Sequence, residues 1–166
     1  TDATAPLPPR PAEAHALALA STLTGSRIVC TTVGRAQAAQ ALAAARPDAS
    51  VVTWFLDRYQ HDLAVEAWGE PPAGLSATCT ADMPPGPYDL AVIPLAKAGE
   101  AELTREILQQ AMVHLAIGGR LVTAIDNPRD TWLREQLAAT GERVQVRKTE
   151  GPKPQTIGYI VEKTRE

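Results

Sequence analysis

Two apolar runs, at residues 90–93 and 120–125, flank a segment with the periodicity of a helix. Within residues 100–115 the apolar side chains fall on one helical stripe, formed by Leu103, Ile107, Leu108, Ala111 and Leu115. A strand that is apolar at consecutive positions is typical of a parallel sheet, because such a sheet is buried on both faces. The pattern therefore predicts a strand–helix–strand crossover at the centre of an α/β domain.

The alternation of strands and helices continues on both sides of this unit. Three earlier strands are predicted at residues 27–31, 51–56 and 75–80. The other helices are predicted at residues 12–23, 35–46, 58–68 and 128–139. The last two strands, residues 143–148 and 157–161, are joined without a helix and should form an antiparallel hairpin. We expect one mostly parallel sheet of order 3-2-1-4-5, extended by this hairpin, with helices on both faces.

The length of 166 residues suits one domain, which we place at residues 12–166 behind an extended, proline-rich leader at residues 1–11. Hydrophobic residues make up 45% of the chain and charged residues 21%, which is typical of a globular domain. No apolar run approaches the roughly 20 residues that a membrane span needs, so no membrane partner is expected.

Cysteine and histidine usage argues against cross-links and metals. Cys30 and Cys79 each lie in an apolar strand-like run, and we interpret both as free thiols of a cytoplasmic protein. The three histidines, His15, His61 and His114, lack the paired spacing of a metal site. The net charge of −3 argues mildly against an autonomous RNA-binding module, although a local basic face would be compatible with it.

One segment carries a resemblance to a known fold. Residues 88–94 read YDLAVIP and residues 115–122 read LAIGGRLV, with the amphipathic helix between them. This arrangement resembles strands four and five of the class I S-adenosylmethionine-dependent methyltransferases, which have a Rossmann-like fold. Within the segment, Gly118 is expected to end the helix and Gly119 to let the chain enter the sheet.

A closer resemblance involves three further stretches. Residues 30–37 read CTTVGRAQ, residues 54–60 read WFLDRYQ and residues 125–130 read IDNPRD. These look like the amino-terminal half of bacterial rRNA guanine-N2 methyltransferases, which resemble a tandem of two class I domains with the second one catalytic. The resemblance implies that a carboxyl-terminal catalytic domain and rRNA are partners. The chain begins at Thr1 rather than Met, and we expect it to be a piece of a longer protein.

The resemblance also implies positions for S-adenosylmethionine. The family holds the cofactor on an acid followed by G-x-G-x-G, whereas residues 31–35 read TTVGR, in which Gly34 is the one glycine. Asp57 closes the second strand where the family binds the ribose, but a strand-end Asp also caps the next helix, and we favour the cap. Asp82 follows the third strand where adenine is often bound, and we favour a turn residue there.

The catalytic motif is missing as well. Amino-directed relatives carry N-P-P-F/Y after strand four, whereas residues 93–96 read IPLA and offer neither an acceptor side chain nor an aromatic ring. We therefore assign no catalytic residue, and we interpret Asn127 as a helix cap with Pro128 at the first helical position. Five cations could contact phosphates if they share a face, although solvated surface is the favoured interpretation: Arg35, Lys97, Arg129, Lys148 and Lys153.

Two functions remain open at this point. The favoured one is a non-catalytic methyltransferase-like domain, which supports a catalytic half and helps to position rRNA without binding S-adenosylmethionine itself. The alternative is an active S-adenosylmethionine-dependent methyltransferase with an atypical cofactor turn. A third possibility, a different α/β nucleotide-binding domain, is disfavoured by the missing G-x-G-x-x-G.

Overall fold

The computed structural model describes residues 8–97, 99–149 and 154–165. Strands and helices alternate through most of that length. In chain order the elements are α1 (Pro11–Ser21), β1 (Arg27–Cys30), α2 (Gln37–Ala45), β2 (Ser50–Phe55), α3 (Arg58–Trp68), β3 (Leu75–Cys79), β4 (Tyr88–Leu95), α4 (Ala101–His114), β5 (Leu115–Ile125), α5 (Trp132–Ala138), β6 (Val144–Lys148) and β7 (Ile157–Glu162). Most of the expected leader, residues 1–7, and most of the turn between β6 and β7 lie outside the described residues.

The seven strands form one sheet in the order β3-β2-β1-β4-β5-β7-β6. The first five strands run parallel to one another. Strand β7 is antiparallel to both β5 and β6, so it is the one reversed strand of the sheet formed by the described residues. The predicted strand order and the reversed hairpin strand are therefore confirmed, and the chain has the Rossmann-like fold of the class I methyltransferases.

The central strands are buried on both faces, which explains their consecutive apolar residues. Leu90 and Val92 of β4 pack into the core beneath α1, α2 and α3. Ala91 and Ile93 of the same strand pack into the core beneath α4 and α5. Because successive side chains of a strand point to opposite faces, one short run supplies both cores.

Helix α1 lies close against the sheet near β7. A Cβ atom at Gly158 of β7 would lie 2.6 Å from Leu19 Cδ1 and 3.0 Å from His15 Cε1, so a larger residue here would force these α1 side chains to shift. His15 is itself buried, and its Nδ1 lies 2.7 Å from the hydroxyl oxygen of the equally buried Thr156. Helix α1 is thus linked to the residue that directly precedes the reversed strand β7.

Residues that were expected to mark two helix ends have other roles in the structure. Gly118 does not end α4, because α4 stops at His114 and Gly118 lies inside β5 with φ 89°. Its N–H donates to the Lys163 carbonyl, so the positive φ serves a bend in the sheet rather than a helix cap. Asn127 and Pro128 form a turn, with Asn127 Oδ1 accepting from Arg129 N–H.

The real start of α5 comes four residues later than expected. The Asp130 carboxylate accepts from the Leu133 N–H at 3.1 Å, and it also accepts from the buried Tyr159 hydroxyl at 3.1 Å. Asp130 thus accepts from the first turn of the helix while Tyr159 holds it in place, whereas the predicted start at Asn127 and Pro128 involved no such tertiary contact. The helix therefore begins beside Asp130 rather than at Pro128.

Truncation of Leu121 should test the burial of β5. Leu121 is fully buried, so Leu121→Ala should lower the free energy of unfolding by about 2–4 kcal/mol through lost burial and a residual cavity. The control Arg129→Ala changes an exposed side chain and should stay within about 0.5 kcal/mol. Denaturant unfolding measures both, and equal losses would show that the faces of β5 are assigned wrongly.

His15 should make stability depend on pH. Burial lowers the pKa of His15 below its ordinary value of 6.5, so the unfolded chain binds this proton more readily than the folded one. Folding stability is therefore expected to fall as the pH drops below about 6.5, and His15→Gln should flatten that dependence. Denaturant melts between pH 7.5 and 5 test this, with His114→Gln as the control. A slope that His15→Gln leaves intact would contradict the assignment.

Candidate functional site

A cleft of about 680 Å³ opens where β1 and β2 end. One wall is the loop of residues 31–36, and another is the start of the described chain at Pro8 and Arg10. In a doubly wound sheet, ligands bind outside the carboxyl ends of the strands, next to the point where the strand order reverses. Here β1 lies between β2 and β4, so the cleft is at that reversal point.

A buried acid from α1 holds the loop beside this cleft. The Glu13 side chain is fully buried. Its Oε1 accepts from the Thr32 hydroxyl at 2.6 Å and from the Val33 N–H at 3.1 Å. Its Oε2 accepts from the Ala38 N–H, in the first turn of α2, at 2.9 Å. Glu13 therefore ties α1 to both the loop and the amino terminus of α2.

Three further N–H groups of the loop donate to side chains of the loop itself or of the first turn of α2. The Thr32 hydroxyl oxygen accepts from the Gly34 and Ala36 N–H groups, each at 2.9 Å. The Gln37 side-chain oxygen accepts from the Arg35 N–H at 2.8 Å. Together with Glu13, these contacts occupy the backbone donors of residues 33–36 and 38 within the protein.

This loop turns without the glycines that the cofactor motif supplies. Its left-handed residue is Ala36, with φ 59°, whereas Gly34 has no positive φ. Helix α2 has no capping side chain at its own N-cap position, Ala36. Glu13 takes over that capping role from a different helix, because an orphan N–H at a helix start needs an acceptor.

The three positions that the resemblance suggested for S-adenosylmethionine are not gathered in the cleft. Gly34 lines the cleft, together with the side chains of Val33 and Arg35. Asp57 caps α3, with Oδ1 accepting from the Tyr59 N–H at 2.8 Å, as favoured from the sequence. Asp57 and Asp82 are exposed, and neither lines the cleft.

The ends of β4 and β5 are joined by a second carboxylate. Asp126, directly after β5, accepts from the Lys97 N–H at 2.6 Å, just beyond the end of β4. Nearby, the buried Thr123 hydroxyl donates to the Ile93 carbonyl at 2.7 Å. The two residues that follow Ile93, Pro94 and Leu95, are buried members of β4. Neither Pro94 nor Leu95 brings a carboxamide or an aromatic ring to a target amine here.

The Cys30 thiol near this edge is not set up as a nucleophile. Cys30 is fully buried, and burial together with the neighbouring Glu13 charge raises the pKa of its thiol, so a thiolate nucleophile is disfavoured. Cys79 is a free thiol as well.

Among residues 8–97, 99–149 and 154–165, no group of three or more ligating side chains could hold a metal ion. No helix in the same described residues is long and apolar enough to cross a membrane.

Sequence reasoning missed the two acids that organise this edge of the sheet. Glu13 is the single charged carboxyl group in an alanine- and leucine-rich helix, a signal that its partner is buried. Asp126 directly follows an apolar strand, which is the same signal that pointed to Asp57. In both cases the sequence indicates an acid with a structural partner, but the identity of that partner depends on long-range contacts.

Comparison with known proteins supports the fold. No family model matches the sequence, and no curated protein matches it. Solved structures do match: S-adenosylmethionine-dependent methyltransferase SibL has 17% identity and a TM-score of 0.66, covering 92% of this chain and 55% of its own. TrmN from Thermus thermophilus has 21% identity and a TM-score of 0.68, covering 91% of this chain and 48% of its own.

An rRNA methylase from Streptococcus thermophilus has 15% identity and a TM-score of 0.67, covering 96% of this chain and 100% of its own. The chain thus spans about half the length of SibL and TrmN, but the whole length of this rRNA methylase. At these identities the likeness establishes the methyltransferase fold.

Removal of the Glu13 carboxyl group should be costly. Glu13→Ala leaves the Val33 and Ala38 N–H groups and the Thr32 hydroxyl without their acceptor, so we expect a loss of about 3–5 kcal/mol in unfolding free energy. The control Glu66→Ala removes an exposed acid of α3 and should change stability by about 0.5 kcal/mol or less. Chemical denaturation measures the difference, and similar losses in the two variants would refute the role given to Glu13.

Proposed function

We propose that this chain is a non-catalytic methyltransferase-like domain, which supports a catalytic methyltransferase domain and helps to position rRNA. The fold supports the methyltransferase-like part of this proposal, since the similar structures include an S-adenosylmethionine-dependent methyltransferase and an rRNA methylase. The resemblance of residues 30–37, 54–60 and 125–130 to the amino-terminal half of rRNA guanine-N2 methyltransferases supports the finer assignment. In that role we expect the protein to work in the cytoplasm.

The loop after β1 carries the proposal. A class I site needs backbone N–H groups there to receive the methionine end of S-adenosylmethionine. In this chain Glu13, Thr32 and Gln37 already accept from those donors. A ligand would have to replace several internal hydrogen bonds, and exposing a buried carboxyl group without a partner adds a further cost. The residues present do not fit the cofactor.

The end of β4 supports the same proposal. Transfer to an amine requires acceptors that orient the nitrogen toward the methyl donor, because positioning supplies much of the rate. Here Pro94 and Leu95 continue the buried strand, and the adjacent Asp126 carboxylate accepts from the Lys97 backbone. These positions at the end of β4 therefore lack the acceptor side chain and the aromatic ring that would orient a target amine.

One observation favours the alternative, an active methyltransferase with an atypical cofactor turn. The cleft is present at the place where the fold binds its cofactor, and its volume lies in the range of small-molecule sites. For this alternative to hold, the Asp57 carboxylate, which caps α3 through Oδ1 and does not line the cleft, would have to reach the ribose. The two functions therefore differ in a measurable affinity.

Calorimetric titration with S-adenosylmethionine should show no binding below the millimolar range, and the chain alone should transfer no methyl group to rRNA. A single charged hydrogen bond from Asp57 is worth about 1.5–3 kcal/mol. A dissociation constant near 10 μM requires about 7 kcal/mol, so Asp57 alone falls well short. The matched variant is Asp57→Ala, with the exposed Asp48→Ala as the control.

Micromolar binding that is lost in Asp57→Ala and retained in Asp48→Ala would overturn the non-catalytic assignment and establish the alternative. Transfer of labelled methyl groups to rRNA by the chain alone would do the same.

A further inference from the structure

Two arginines and no acidic residue of the described part of the chain line the cleft beside the 31–36 loop. Arg10 lies directly before α1, and Arg35 lies in the loop. From this charge and the shape of the cleft, we propose that it binds a phosphate-bearing nucleotide, either free or as part of an RNA strand. The proposal concerns a ligand other than S-adenosylmethionine, and it does not depend on the proposed function.

The charge of both arginines is available for a ligand. The Arg35 Nη1 donates to the neutral Gln60 side-chain oxygen at 3.3 Å. Neither arginine is paired with an acid in the part of the chain that the structure describes, where the ion pairs join His61 to Asp62 and Arg120 to Glu162. Guanidinium groups recognise phosphate through charge-assisted and bidentate hydrogen bonds, so two of them favour this anion.

The nearest acids are used elsewhere. Glu13 is fully buried and accepts from the loop backbone, while Asp57 accepts from the first turn of α3. Neither lines the cleft. Since the whole chain carries a net charge of −3, a cleft with cationic groups and no acid does not follow from general composition. It is a local feature, of the kind that concentrates an anionic ligand.

The remaining walls suit the other parts of a nucleotide. Val33, Leu56 and Ile107 offer apolar surface on which a base can rest.

The volume also distinguishes a nucleotide from a small inorganic anion. A cleft of about 680 Å³ is within the range of sites for drug-sized molecules and is far larger than one phosphate ion needs. Trp54 does not act as a stacking platform, because it is buried and its indole N–H donates to the Thr80 carbonyl at 3.0 Å. The base is therefore held by aliphatic surface, which gives little selectivity among bases.

Calorimetric titration of the wild-type chain with adenosine 5′-monophosphate, adenosine and a single-stranded adenylate hexamer tests the proposal. The monophosphate should bind at least roughly tenfold more tightly than adenosine, because the phosphate adds charge-assisted hydrogen bonds. Its affinity should fall as the salt concentration rises, since the attraction is partly screened. No S-adenosylmethionine is present, so the result is separate from that of the cofactor titration.

Three variants locate the site. Arg35→Gln and Arg10→Gln should each weaken binding of the monophosphate roughly fivefold or more. Arg143→Gln makes the same charge change at an exposed position before β6 and should leave the affinity within about twofold. Because Arg10 is an exposed residue that precedes α1, its variant tests the cleft even if Arg35→Gln disturbs the loop.

The hexamer distinguishes the two sources of the phosphate. Binding of the hexamer at least tenfold tighter than the monophosphate, with the same loss in both arginine variants, assigns the cleft to an RNA strand. Comparable affinities assign it to a free nucleotide. Equal affinity for adenosine and its monophosphate, no detectable binding of either ligand, or an equal effect of Arg143→Gln would overturn the proposal.

Discussion

The buried carboxyl group of Glu13 is the contact on which this end of the molecule depends. It joins three elements that are distant in sequence: α1, the loop after β1 and the first turn of α2. A fully buried acid is tolerated only when its oxygens accept hydrogen bonds, and here the donors are the backbone groups of the loop. The closed conformation of the loop and the burial of the acid therefore require each other.

We propose that this closed loop is why the chain does not bind S-adenosylmethionine, although it retains the sheet of a methyltransferase fold. The sheet is held by the two cores on its faces, which include Val92 on one side and Leu121 on the other. Arg10 and Arg35 line the cleft beside the loop, which is why we propose that it binds an anionic ligand.

The alternation of strands and helices was predictable because its signals are local. The apolar run of β4, the helical stripe of α4 and the helix-free hairpin each depend on neighbours in the sequence. The strand order also rested on the central position expected for the apolar strands and on the resemblance to the class I methyltransferases. The Asp57 cap was predictable because its donor is two residues away.

The start of α5 was not predictable, because the Asp130 carboxylate that accepts from its first turn is also held by Tyr159, 29 residues further along the chain. Gly118 misled for a similar reason, because its partner is the Lys163 carbonyl, directly after β7. Glu13 was missed because its donors lie 19 to 25 residues further along the chain, where periodicity carries no information.

The central claim, that the loop after β1 is closed on Glu13, is tested most directly by amide hydrogen exchange of Val33, Gly34, Ala36 and Ala38, resolved by NMR. Amides that donate to internal acceptors exchange only when the structure opens locally, so these four should be protected well above an unstructured loop. Their protection should not change when millimolar S-adenosylmethionine is added, because the donors are already occupied. Fast exchange in the free protein, followed by protection on addition of S-adenosylmethionine, would contradict the account and show that these donors serve the cofactor.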